Sequence, residues 1–226
     1  MTSHPQHTYE PPSGSCQIAL VRHGQSIPYV EGNPFPLVDG QGDPPLSPRG
    51  EWQAVQVGER LRGEPIDAIY VTSLQRTHQT AAPLATHLGL TPTVEPDLRE
   101  IHMGDWEGGI FRQKLSEGHP AVAELRRTGE WASLPGAESS ESLRTRTVAA
   151  IERIAARHPD QFVTVVCHGG VISMLLSHAA GVQSPRTFPS VRNGSVSHIV
   201  VGGHGWTIRS FNDAAHTGTL TDDHDV

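Results

Sequence analysis

Ile18-Ala19-Leu20-Val21-Arg22-His23-Gly24 opens on four consecutive apolar residues and closes on a polar turn. A short apolar run of this kind suits a strand buried on both faces, and the abrupt change marks its carboxyl end. His23 is therefore expected at the end of a strand. The same design recurs far along the chain. Phe162-Val163-Thr164-Val165-Val166-Cys167 is β-branched and apolar, and His168-Gly169-Gly170 then turns into a helix marked by Val171, Leu175 and Leu176. Between them, Asp67-Ala68-Ile69-Tyr70-Val71 leads through Thr72-Ser73 into a helix with Thr77, Ala81, Leu84 and Leu88 at helical spacing and Arg76 in its first turn.

Three further segments complete the pattern. Ser47-Pro48 is an N-cap followed by proline at the first helical position, which opens a helix running to about Arg62. Leu143, Thr147, Ile151 and Ile154 mark an amphipathic helix. Residues 195–201 and 206–211 form a closing hairpin. Strands alternating with helices indicate an α/β fold, a three-layer α/β/α sandwich around a mostly parallel, doubly wound sheet. In such sheets ligands bind beyond the carboxyl ends of the parallel strands. His23, the turn from Ser73 to Arg76 and His168 are thereby expected to meet.

The 226 residues suit one α/β domain over residues 16–212, with flexible tails at 1–15 and 213–226 that lack apolar periodicity. No run approaches the roughly 18 apolar residues of a membrane span, and the start of the chain lacks the pattern of a secretory leader. Cys16 and Cys167 could form one bridge at most, so a reducing cytoplasm is the expected location. A formal net charge of −7 with no long basic run argues against a nucleic-acid partner. Most of the 14 histidines, among them His87, His158, His216 and His224, read as surface residues. Cys167 reads as a small buried hydrophobe, His102 as a loop residue, and Trp52, Trp106 and Trp131 as core or interface.

Arg22 beside His23, Arg76 at a helix start and His168 describe a pocket with two fixed cations and two imidazoles. Phosphate suits it. Guanidinium forks match phosphoryl oxygens, and a neutral imidazole nitrogen can attack phosphorus. An acid for the leaving group is available among Glu100, Asp105 and Glu107, with Glu100 best placed by order. The chain holds no phosphate-loop, serine-elbow or zincin motif.

Leu20-Val21-Arg22-His23-Gly24-Gln25-Ser26 resembles the hallmark of the histidine phosphatase superfamily, the phosphoglycerate mutase-like proteins. The likeness continues in order through Asp43-Pro44-Pro45-Leu46-Ser47, Ser73-Leu74-Gln75-Arg76-Thr77, Leu98-Arg99-Glu100, Gly104-Asp105-Trp106-Glu107-Gly108, Glu138-Ser139 with Arg146, and Val166-Cys167-His168-Gly169-Gly170. It spans roughly residues 17–212. It implies a phosphohistidine at His23, phosphoryl contacts from Arg22, Arg76 and His168, and Glu100 as proton donor and then base. Gln25 and Gly169 are implied as further substrate-binding residues. No metal and no cofactor are implied.

Two departures stand out. Tyr29 occupies the place where the family often has Asn, for which Asn33 could substitute. Arg126-Arg127 is followed by Thr128-Gly129 instead of the prolines associated with the glycolytic mutases. The second departure favours a phosphatase of small phosphorylated substrates over a mutase, while the first makes a non-catalytic phosphate-binding module conceivable, against which intact His23, Glu100 and His168 argue. Specificity is expected in residues 27–42 and 109–140, and the edge of the last hairpin could pair across a homodimer.

Overall fold

The computed structural model describes residues 4, 6–182 and 187–218. Of the expected tails, residues 1–3, 5 and 219–226, His224 included, lie outside the described residues. The elements run β1 (Cys16–Arg22), β2 (Leu37–Val38), β3 (Gln41–Gly42), α1 (Pro48–Leu61), β4 (Ile66–Val71), α2 (Gln75–Leu88) and β5 (Thr93–Val94). They continue with α3 (Ile110–Ser116), α4 (Pro120–Thr128), α5 (Ser140–Arg157), β6 (Phe162–Cys167), α6 (Gly169–Ala179), β7 (Val196–Gly202) and β8 (Gly205–Asp213). No helix among the described residues is long and apolar enough to cross a membrane.

Six strands form one sheet in the order β5-β4-β6-β1-β7-β8. β5, β4, β6 and β1 are parallel, β7 runs antiparallel to β1, and β8 antiparallel to β7. The strand period of two divides the core. Ile18, Leu20, Val163 and Val165 pack with Leu143, Ile151, Ile154, Val171, Ile172 and Leu175 of α5 and α6. Ala19, Val21, Ile69, Val71 and Val166 pack on the other face with Val57, Leu61, Ala81 and Leu84 of α1 and α2. Burial from both sides is what requires an apolar residue at each of positions 18–21. The result is the α/β/α sandwich expected from the alternation.

Local signals set the helix starts. Ser47 Oγ accepts from Gly50 N at 3.1 Å and Pro48 follows, a cap that contributes about 1 kcal/mol. Other features differ from expectation. The Pro/Gly-rich stretch 28–48, which its composition marks as a long loop inside the domain, contains a two-residue hairpin, β2 and β3, around Asp39-Gly40, both with positive φ. Asp-Gly is the signal for that turn, but strands of two residues carry no periodicity to flank it. Residues 110–134 form a helical cap with a core of its own from Trp106, Val122, Leu125 and Leu134.

Packed chain also continues past the boundary expected at 212. Ala214 and Thr217 are buried, and His216 Nε2 contacts Gly194 O at 2.8 Å. His158 is likewise no bland surface residue, since its Nε2 pairs with Tyr70 OH at 2.9 Å. Trp52 is 43% exposed beside Arg49, outside any core.

Candidate active site

Parallel pairing of β1 with β6 and of β6 with β4 brings their carboxyl ends side by side, Val21 and Val71 both opposite Val166. The residues that follow, His23, Thr72 and His168, therefore meet. A cavity of about 1990 Å³ opens over this edge, and Arg22, His23, Gln25, Arg76, Glu100 and Gly169 all line it. His168 lies fully buried below, its ring inclined 64° to that of His23 with centroids 5.1 Å apart.

His23 is 8% exposed. Its Nδ1 lies 2.8 Å from Gly24 O. A carbonyl oxygen only accepts, so the proton belongs on Nδ1 and Nε2 keeps its lone pair. Arg76 Nε donates to that Nε2 at 3.3 Å. Burial, and after it the charges of Arg76 and Arg22, hold the imidazole pKa well below its usual value. Asn193 Nδ2 donates to His23 O at 2.8 Å and fixes the backbone. Gly24 has no room for a side chain, because a Cβ there would sit 2.4 Å from Gly50 O. The tripeptide Arg22-His23-Gly24 thus ends on glycine because the start of α1 presses against it.

Arg22 donates through Nη1 to Val191 O. Arg76 donates through Nη1 to Gly42 O at 3.0 Å, with Asp43 Oδ1 3.8 Å away. Burial pushes its pKa down to about 10, against the opposing pull of the Glu100 and Asp43 carboxylates, so it is a cation at neutral pH. Gln25 accepts from Ser47 Oγ at 3.1 Å, which orients it along the cavity wall. Gly169 opens α6 at the floor, where a Cβ would meet Arg22 Nε at 3.3 Å.

The three carboxylates separate. Glu100 lines the cavity and accepts from Gly170 N at 3.1 Å and Ile101 N at 3.1 Å. Glu107 also lines it, and its two oxygens accept from the amides of Gly42 at 2.7 Å and Met103 at 2.8 Å, shorter contacts than the two amides make with Glu100. Asp105 is exposed and does not line the cavity. Asn33 is likewise exposed and off the cavity wall, whereas Tyr29 lines it and packs against Phe35 at 5.9 Å between ring centroids. Asn33 therefore does not stand in for the family Asn.

Several contributors escaped the sequence reading. At Gly170 a Cβ would lie 2.5 Å from Glu100 Oε1 and would push that carboxylate out of its place. Arg146 Nη1 donates to the carbonyls of Asp97 and Arg99, both at 2.7 Å, and Nη2 to that of Glu100 at 2.9 Å. Glu138 receives the same guanidinium at 2.8 Å and also accepts from His102 N. This pair clamps the loop that carries Glu100. The motif Glu138-Ser139 with Arg146 was visible in the sequence, but what it grips was not. Cys16 and Cys167 are buried thiols, the former pushed up to about 12 by burial, so neither offers a thiolate.

His23 and His168 are both held neutral, chiefly by burial and then by Arg76. Unfolded histidines protonate near 6.5, whereas these two do not until the pH is much lower, so the unfolded chain binds more protons below that point. Stability is present above about pH 6.5 and is lost as pH falls toward the native pKa values. Calorimetry is expected to show Tm dropping between roughly pH 6.5 and 5, with a shallower drop in His168→Gln. Equal slopes in the two proteins would contradict this.

The chain is 32% identical over 205 residues to phosphoglycerate mutase-like protein 4 of Arabidopsis thaliana, spanning 89% of this chain and 86% of the relative. It is 30% identical over 208 residues to a metal-independent phosphoserine phosphatase of the same plant, with 90% and 84% covered. Among solved structures, mycobacterial glucosyl-3-phosphoglycerate phosphatase superposes with a TM-score of 0.73 at 29% identity, over 87% of this chain and 98% of that one. The model of the histidine phosphatase superfamily (branch 1) matches residues 18–214, from inside β1 to just past β8, and the protein belongs to that superfamily.

Proposed function

We propose that the protein is a metal-independent phosphatase that hydrolyses a small phosphomonoester through a phosphohistidine at His23. One observation carries this reading: the unprotonated Nε2 of a neutral, buried imidazole lies at the floor of a cavity bearing Arg22 and Arg76. Nε2 attacks phosphorus with its lone pair, and the bond from phosphorus to the leaving oxygen breaks. Glu100 donates its proton to that oxygen. Arg22, Arg76 and His168 stabilise the charge on the phosphoryl oxygens, the part a metal plays in other phosphoryl-transfer sites. Water then attacks the phosphoenzyme as Glu100 takes its proton, and the electron pair returns to Nε2 with release of inorganic phosphate. Gln25 contacts the substrate from the wall and Gly169 from the floor.

Rapid quenching with a radiolabelled phosphomonoester tests it. An acid-labile phosphoenzyme that decays to inorganic phosphate is expected, and its absence during turnover would sink the proposal. Hydrolysis is favoured over mutase transfer because Arg126-Arg127 is followed by Thr128-Gly129 instead of the prolines associated with the glycolytic mutases.

Arg112 on α3 supports a substrate with a second negative charge. Its guanidinium is held only by neutral groups, Ile27 O and Ser26 Oγ at 2.7 Å each and the face of Phe35 at 5.1 Å. No carboxylate within salt-bridge distance balances it among the described residues, yet its charge is felt at His23 and Arg76. Arg112→Gln is expected to raise KM for phosphoserine about tenfold while leaving glycerol phosphate within about threefold. An equal loss on both would place Arg112 on the phosphoryl group itself. The same reading sets the protein in the cytoplasm and leaves the β8 edge as the route to a homodimer.

A further inference from the structure

The two ring nitrogens of His168 meet different surroundings. Nε2 lies 3.1 Å from Thr72 Oγ1, just beyond β4, whereas Nδ1 is buried with no hydrogen-bond partner among the described residues. The ring is neutral, so a single nitrogen carries the proton. Which one it is decides what the ring can do. A proton on Nδ1 makes the unengaged nitrogen a donor to a phosphoryl oxygen. A proton on Nε2 leaves a lone pair there, which an oxyanion cannot use.

Counting hydrogens narrows the choice. Thr77 Oγ1 accepts from Thr72 N at 3.1 Å and gives its own hydrogen to Leu74 O at 2.8 Å. Thr72 Oγ1 accepts from Leu74 N at 3.3 Å. The one hydrogen of the Thr72 hydroxyl then has two acceptors within reach, Thr77 Oγ1 at 3.2 Å and His168 Nε2 at 3.1 Å. Passing from one arrangement to the other takes rotation of that hydroxyl together with loss of the ring proton from one nitrogen and its uptake on the other by exchange with solvent, and both arrangements leave the turn satisfied. All four residues are fully buried, so water does not compete. An anion over the site breaks the tie, because only the arrangement with Thr72 donating to Nε2 presents N–H at Nδ1.

We infer that Thr72 is a positioning residue: by donating its hydroxyl hydrogen to Nε2, it holds the proton of His168 on Nδ1 whenever a phosphoryl group is bound. This rests on the phosphatase reading above. It also explains a polar residue at a fully buried place where valine would fill the same volume.

Nitrogen NMR of the full chain with and without inorganic phosphate tests it directly, with the His168 signals assigned by their loss in His168→Gln. Phosphate-bound wild type is expected to show the Nδ1–H tautomer. Thr72→Val is expected to lose about 10²-fold in kcat, as on removing a donor to developing charge, and to populate Nε2–H. Thr72→Ser keeps the hydroxyl and is expected within about fivefold of wild type with the wild-type tautomer. A purely structural hydroxyl would leave the tautomer unchanged in Thr72→Val. An Nε2–H tautomer in phosphate-bound wild type, histidine signals indifferent to phosphate, or full activity in Thr72→Val would overturn the inference. The wild-type spectrum decides even if the valine variant does not fold. A missing phosphoenzyme at His23 would instead count against the phosphatase reading, without touching the tautomer measurement.

Discussion

His23→Ala is expected to lower kcat for p-nitrophenyl phosphate by at least about 10⁴-fold and to abolish the trapped phosphoenzyme. The size follows from the absence of a substitute. His168 is the nearest imidazole, but its Nε2 is turned to Thr72 and its Nδ1 carries the proton in the arrangement inferred above, so neither nitrogen offers a lone pair to phosphorus. The surrounding structure should survive the change. The His23 backbone keeps its bonds to Cys167 O and from Asn193 Nδ2, and the lost side-chain partners are the carbonyl of Gly24 and Arg76 Nε, which keeps its cation anchored through Nη1 to Gly42 O. A thermal melt alongside the kinetics separates loss of chemistry from loss of fold. Activity within tenfold of wild type in a folded variant would remove His23 from the mechanism.

Glu100→Gln is expected to divide the two half-reactions. Gln keeps the shape and an acceptor for Gly170 N but carries no transferable proton. With an alkyl phosphate, whose leaving oxygen needs a proton, the first turnover should slow by about 10²- to 10³-fold. With p-nitrophenyl phosphate, whose leaving group departs as a stable anion, the first turnover should change little. Release of phosphate should still slow, because the attacking water has lost its base, so p-nitrophenol appears in a burst. Stopped-flow traces of both substrates read this out. An unaltered first turnover on the alkyl ester would transfer the acid role to Glu107, the other carboxylate on the cavity wall.

How far the sequence alone reaches is clear from particular residues. The apolar run at 18–21, the β-branched run at 162–167 and the Ser47-Pro48 cap are local patterns, and each appears within a residue or two of its expected place. Neighbours along the chain impose those patterns through the strand period, the two buried faces and the first helical turn. The convergence of His23, Arg76 and His168 was also legible, because the carboxyl ends of parallel strands share one edge. The cap over residues 110–134 was not. Its helices are short and half-exposed and bury only a small core, so each spans too few turns for its apolar face to stand out from a loop.

By itself, then, the sequence determined the α/β alternation, the strand-end position of His23 and the charge of the pocket around it. Tertiary structure decided the rest. Glu100 is distinguished from Asp105 and Glu107 by Gly170, a residue of α6 that leaves it space and gives it an N–H. Arg146 grips the Glu100 loop from α5, and Thr72 meets His168 across the pairing of β4 and β6. These contacts join segments far apart in the chain, and their energies depend on distance and burial, which residue order along one strand or helix does not encode.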